Sequence, residues 1–209
     1  MNHKSRVNFL EYRYIEEVAN KVLLENKLND SIPIEVERFI DNKLKINIIP
    51  FPELKRCSNI NAFISINLRN IYIDDYLYSH LEQQYRFTLA HELGHLYLHH
   101  YIYDNVKDLE SYIKFQESIS EREYGYLEFQ ADCFAGLFLI PSNHLNEQFE
   151  RHSREIINFI KRRFSRSKRD DYIDMAISLI SQKLSPIFNV HHTPIEIRIK
   201  KLGLDKKIP

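Results

Sequence analysis

The stretch Arg86-Phe-Thr-Leu-Ala-His91-Glu92-Leu-Gly-His95-Leu-Tyr-Leu-His99-His100 has the pattern of one helix and organises the reading of the whole chain. Residues four apart on an α-helix differ by about 40° around the axis and about 6 Å along it, so one cation can bridge His91 and His95. With His91 at zero, Glu92 falls near 100°, beside such a cation without ligating it, where a general base for a polarised water belongs. Thr88 and His99 lie on the same side, near 60° and 80°, whereas Leu89, Ala90, Leu93, Leu96 and Tyr97 fill an apolar arc from about 140° to 260°. Gly94 sits near 300°. A mid-helix glycine costs about 1 kcal/mol relative to alanine, so a neighbouring element is expected to pack closely there.

Two histidines need a further ligand, and Leu127-Glu128-Phe-Gln-Ala131-Asp132-Cys-Phe-Ala135-Gly136 offers one. On a helix from about Glu121 to Leu139, ended by Pro141, Glu128 and Asp132 share a face with Ala131, Ala135 and Gly136. That small-residue patch can approach the Gly94 side of the first helix. Glu128 would then reach the metal, and Asp132 would accept a hydrogen bond from the free ring nitrogen of a ligand histidine. Phe129, Phe134, Leu137 and Phe138 are expected in the core behind. Glu117, Glu121 and Glu123 lack such a face and read as solvated charges. Two histidines and one glutamate leave a coordination position open for water, the arrangement of catalytic zinc; manganese or iron suit the same donors.

The 209 residues, 44% hydrophobic and 28% charged, suffice for a full core without disulfides. Cys57 and Cys133 have no metal or redox spacing and read as buried small residues of a reduced, cytoplasmic protein. No basic-then-apolar leader opens the sequence and no apolar run nears the roughly 18 residues of a membrane span. Charge is uneven: Met1 to Ile140 holds 15 basic and 21 acidic residues, Pro141 to Pro209 14 basic and 8 acidic.

Along the chain, Phe9 to about Lys27 has helical periodicity, and Ser31-Ile-Pro33 opens a second helix continued by Val36, Phe39, Ile40 and Leu44. Lys45 to Ile49 reads as a strand stopped by Pro50 and Pro52, and Ala62 to Ile66 with Arg69 to Asp74 as a hairpin. The resulting small sheet either clamps an extended peptide beside the metal helix or merely covers helices. The metal helix is expected from near Gln84 to His100, with His99 either supporting a ligand or capping the C-terminal end. Tyr101 to Ser120 reads as a loop or short helix near the site mouth. The fold class is therefore α+β, mainly helical, with a small sheet beside the active-site helix and a helical C-terminal segment.

The two motifs together resemble the ImmA/IrrE metallo-endopeptidases, glutamate-type zincins, over roughly residues 9 to 141. The likeness includes the upstream Pro33-Ile-Glu-Val-Glu, Ile71-Tyr-Ile and the closing Leu139-Ile-Pro141. It implies a zincin-like domain with His91, His95 and Glu128 as metal ligands, Glu92 as general base and Asp132 as orienter of a ligand. It also implies a protein substrate, a helix-turn-helix repressor of a prophage, mobile element or stress response.

Residues 142–209 form a basic segment with helices expected over His144 to Lys161 and Asp171 to Leu184, joined by a basic connector from Arg162 to Arg169. Thr193-Pro194-Ile-Glu196 suggests a capping box opening a last helix that stops at Gly203. The family's closing Val-Ser is here Val190-His191, which weakens any helix-turn-helix-like DNA reading of the segment. Candidates to stabilise an oxyanion are His144, His152, His191, His192, Tyr124 and Tyr126. Two rival functions stay open: a non-catalytic metal-binding regulator that acts by binding a repressor, and a DNA-binding regulator acting through the C-terminal segment.

Overall fold

Helical periodicity dominates the chain, and the computed structural model, which describes residues 7–65, 69–102, 106–164 and 172–209, is mainly helical with one three-stranded mixed sheet. Helix α1 (Tyr12–Glu25) buries Ile15, Ala19, Val22 and Leu23, the stripe its spacing dictates. The second helix departs from expectation: a short α2 (Val36–Arg38) passes into a π-helical turn, Phe39–Leu44, closed by Lys45 in the left-handed region. An i+5 turn still buries Phe39 and Ile40, so the apolar pattern does not distinguish it from α-helix.

Strand β1 (Asn47–Phe51) runs through Pro50 rather than stopping before it. It is an edge strand, where a missing N–H is tolerated. Central β3 (Asn70–Asp74) pairs in parallel with β1, Ile48 opposite Ile71, and antiparallel with β2 (Ala62–Ile64), Phe63 opposite Tyr72. The expected strands thus form, while residues 66–68 of the hairpin lie outside the described residues. Between β1 and β2 lies α3 (Leu54–Ser58). After β3, Asp74 accepts from the Leu77 and Lys55 N–H groups, which starts α4 (Asp75–His80) and ties it to α3.

Helix α5 (Glu82–His99) is the metal-motif helix and α7 (Glu121–Leu139) carries Glu128. Between them the loop-or-helix stretch contains α6 (Leu109–Ser118), opened by a capping box of Asp108 and Ser111. Phe134, Leu137 and Phe138 are buried as expected, but Phe129 is 49% exposed. A second correction concerns Cys57, which is exposed on α3, while Cys133 is half-buried.

The C-terminal segment supplies α8 (Ser142–Arg163), α9 (Ile173–Phe188) and α10 (His192–Lys201). Arg162 and Arg163 belong to α8, and 165–169 of the expected connector lie outside the described residues. The last helix is capped by the His191 ring, which accepts from the Thr193 N–H, in place of the expected Thr193–Glu196 box. Gly203, at φ +67°, ends it as foreseen. Leu145, Ile177, Leu184, Phe188 and Ile199 share one core cluster with α1, the sheet, α5 and α7. Arg198 is turned inward to Ile140 O, Ser142 Oγ and Tyr12 OH. Among the described residues no helix is long and apolar enough to cross a membrane.

Candidate metal centre

The centre is assembled where α5 crosses α7, the most extensive helix contact in the fold. A Cβ on Gly94 would stand 2.8 Å from Ala131 Cα, so the crossing has no room for a side chain there. This is the close approach the Gly94 and Ala131 pattern calls for. It brings the carboxylates of α7 onto the histidines of α5.

His91 Nε2 and His95 Nε2 are 3.0 Å apart, and the Glu128 carboxylate lies 3.5 Å from each. Nitrogens sharing a tetrahedral zinc at about 2.0–2.1 Å stand roughly 3.3 Å apart, close to the spacing found here. Glu128 Oε1 is a buried carboxylate oxygen with no hydrogen-bond donor, a group that needs a cation. These donors therefore fit a divalent metal, and their chemistry suits zinc, manganese or iron alike.

The outer ring nitrogens are also held. His91 Nδ1 is 2.8 Å from Asp132 Oδ1, His95 Nδ1 is 3.2 Å from His99 Nδ1, and His99 Nε2 is 2.8 Å from Gln130 Oε1. Gln130 Nε2 in turn donates to Asn8 O over 3.0 Å. The protons of this chain are fixed from its far end. Because the Gln130 amide nitrogen faces Asn8 O, its Oε1 must accept, so His99 donates from Nε2 and accepts at Nδ1. His95 then donates from Nδ1, which leaves its Nε2 lone pair pointing at His91 and Glu128. His99 thus holds the His95 ring and is not a helix-end cap. His99 and Gln130 are both fully buried, where an unmatched ring or amide would be costly.

Electrostatics follow from the same contacts. Burial alone would lower His91, but hydrogen bonds to Asp132 and Glu128 outweigh it and raise its pKa to about 10. Burial would raise Glu128, yet the two histidines hold it well below the usual carboxylate range. Burial and the adjacent His95 pull His99 down to about 3, so it is neutral, as the chain requires.

Glu92 is 3% exposed and receives the Ile64 N–H of β2. One of its carboxylate oxygens lies within 4.8 Å of a ring nitrogen of each of His91 and His95. Burial raises its pKa despite the two imidazoles. In front of it opens a cleft of about 370 Å³, with Asn59, Asn61 and Ala62 on the sheet side and Tyr112, Gln116 and Tyr124 on the other. The Tyr124 hydroxyl accepts from Gln116 Nε2, and burial plus Glu128 push its pKa to about 12, so it keeps its proton. Of the six oxyanion candidates only Tyr124 lines the cleft. His144 bonds Asn29 O and Tyr126 packs against Phe9.

All five site residues read from the sequence therefore meet at one place. The reading missed Gln130, Tyr112 and Gln116. Gln130 falls near 200° from Glu128 on the wheel, away from the metal face, and only its burial beside His99 reveals its use.

A model of the family described as Peptidase M78, IrrE N-terminal-like domain, matches residues 65–169, which include all five. No curated protein matches the chain. Among solved structures it is similar to one described as a Mycobacterium tuberculosis transcriptional regulator, with TM-score 0.51 and 14% identity over 88% of this chain. The likeness is of fold, and the chain spans 45% of that structure's length.

Proposed function

Because the chain belongs to the peptidase M78 family with its IrrE N-terminal-like domain, we infer that it is a metal-dependent endopeptidase acting on a protein substrate. The observation that carries this reading is the convergence of His91 Nε2, His95 Nε2 and the Glu128 carboxylate beside buried Glu92 at the floor of an open cleft. These three residues would hold a divalent cation, zinc first among the candidates, and it would supply Lewis acidity at the reacting centre. Glu92 takes the proton from the attacking water and delivers it to the leaving amine; its burial, which raises its pKa, favours a carboxylate that can pick up and return a proton. Asp132 and His99 orient the two imidazoles. Tyr124, keeping its proton, donates a hydrogen bond from its hydroxyl to the carbonyl oxygen as charge develops there.

Edge strand β2, whose Ala62 walls the cleft together with the preceding Asn61, offers main-chain groups to an extended polypeptide. Resemblance to ImmA/IrrE proteins makes a helix-turn-helix repressor the substrate class in this reading. In this reading residues 1–141 are the catalytic unit and 142–209 a helical buttress packed against it, with Arg198 turned inward to Ile140 O. The test is cleavage of the repressor encoded nearest the gene, followed by intact mass. A chelator should abolish it and added zinc restore it. Cleavage that persists after metal removal would contradict the reading.

A further inference from the structure

The metal cleft continues past His91 along α5. Gln84, Phe87, Thr88 and His91 follow one stripe of that helix, and all four line the cleft. Gln84 and Phe87 also line a second cavity of about 610 Å³, which extends the trough to the start of α5 between Leu81 and the His191 and Pro194 side chains. The two parts differ in character. Near His91 the walls include Lys55, Asn59, Asn61 and Gln116, whereas the extension presents a mainly apolar surface from Leu81, Phe87 and Pro194, alongside Glu82 and His191. Leu81 is 38% exposed, an apolar side chain left open to whatever enters.

The far wall is fixed in place. Arg86 donates to Asn189 O over 3.1 Å and to Ile34 O over 2.7 Å, while Asn189 Nδ2 donates to Glu82 Oε1 and Gln83 Nε2 to Ser185 Oγ. These bonds pin the α9–α10 turn to the first turns of α5. His191 and Pro194 therefore stand at a set distance from Leu81, as a preformed pocket requires.

We propose that this cavity is a specificity subsite that takes an aliphatic or aromatic side chain of an extended substrate two to four residues from the scissile bond. The assignment rests on the peptidase reading of the metal centre. The spacing comes from helix geometry: Phe87 and Leu81 lie four and ten residues before His91, roughly 6 and 15 Å along the axis, and an extended chain advances about 3.3 Å per residue. The C-terminal segment thereby takes part in substrate choice, through the turn that opens α10. Burial of one such side chain corresponds to roughly a 10- to 100-fold preference in kcat/KM.

Two measurements test it. In the first, 15N-labelled Glu92→Gln protein is titrated with N-acetyl-leucine methylamide, a probe that needs no catalysis. Amide shifts are expected at Leu81, Gln84, Phe87 and His191, and their loss in the added Leu81→Asn or Pro194→Gln background. Asparagine at position 81 is a favourable helix N-cap, which protects the fold. Absent shifts, or shifts indifferent to both substitutions, overturn the proposal. In the second, wild type cuts a mixed peptide library and the products are sequenced. Enrichment of an apolar residue two to four positions from the cut, reduced at least tenfold in Leu81→Asn, supports the subsite; cutting without enrichment overturns it. Probe shifts without any cutting support the apolar pocket and count against the peptidase reading alone.

Discussion

Gly94 of α5 and Ala131 of α7 meet main chain to main chain: a Cβ on Gly94 would fall 2.8 Å from Ala131 Cα and 3.0 Å from Ala131 O. Backbone cannot swing aside as a flexible side chain can. Gly94→Ala should therefore destabilise the protein, even though alanine is the better helix former by about 1 kcal/mol. Overpacking of this kind costs about 1–3 kcal/mol, measurable by urea unfolding. The forced separation should also weaken metal binding, because Glu128 rides on the same face as Ala131. An unchanged midpoint would refute the close crossing.

Metal uptake should release about one proton. The chain from Asp132 through His91, His95 and His99 to Gln130 has room for one proton between the two Nε2 atoms, and His91, with its pKa raised to about 10, holds it throughout the neutral range. A raised pKa means the proton is present below pH 10 and must leave before the lone pair can bind. Apparent affinity should thus climb about tenfold per pH unit from 7 toward 9. Calorimetry in buffers of different ionisation enthalpy reads the proton directly. Heats identical in every buffer would contradict the proton placement.

Gln130 touches no proposed ligand, yet its replacement should loosen the metal. Gln130→Leu removes the acceptor for His99 Nε2 and the tether to Asn8, freeing His95 to adopt the tautomer with its proton on Nε2. Loss of such an outer hydrogen bond typically lowers metal affinity 10- to 100-fold. Gln130→Glu keeps the acceptor and should recover much of it. Competition with a chromophoric chelator distinguishes the two.

Tyr124→Phe should lower kcat by about 10- to 1,000-fold with KM and bound metal nearly unchanged, since a donor to a developing oxyanion acts in the transition state. A rise in KM alone would place Tyr124 in substrate binding instead.

Much of this site was legible in sequence because helices convert spacing into geometry. His91 and His95, and then Glu128 and Asp132, are each four apart, and Gly94 and Ala131 marked the faces that had to touch. The limits of α7, Glu121–Leu139, followed from its apolar period and Pro141. What escaped depends on partners far along the chain. Gln130 has meaning only beside His99, and the exposure of Phe129 and Cys57 does not follow from their own residue types. The π turn at Phe39–Leu44 keeps an apolar pattern indistinguishable from an α-helix. At the start of α10, Thr193 had the sequence of a cap, but the His191 ring reached the Thr193 N–H first.

The most direct measurement compares wild type with Glu92→Gln, quantifying bound metal and following the repressor encoded nearest the gene by intact mass. About one metal per chain in both proteins, with cleavage by wild type alone, is the predicted result. Equal cleavage by both would remove Glu92 from the chemistry, and metal bound by both with no cleavage by either would contradict a peptidase and favour a regulator that acts by binding.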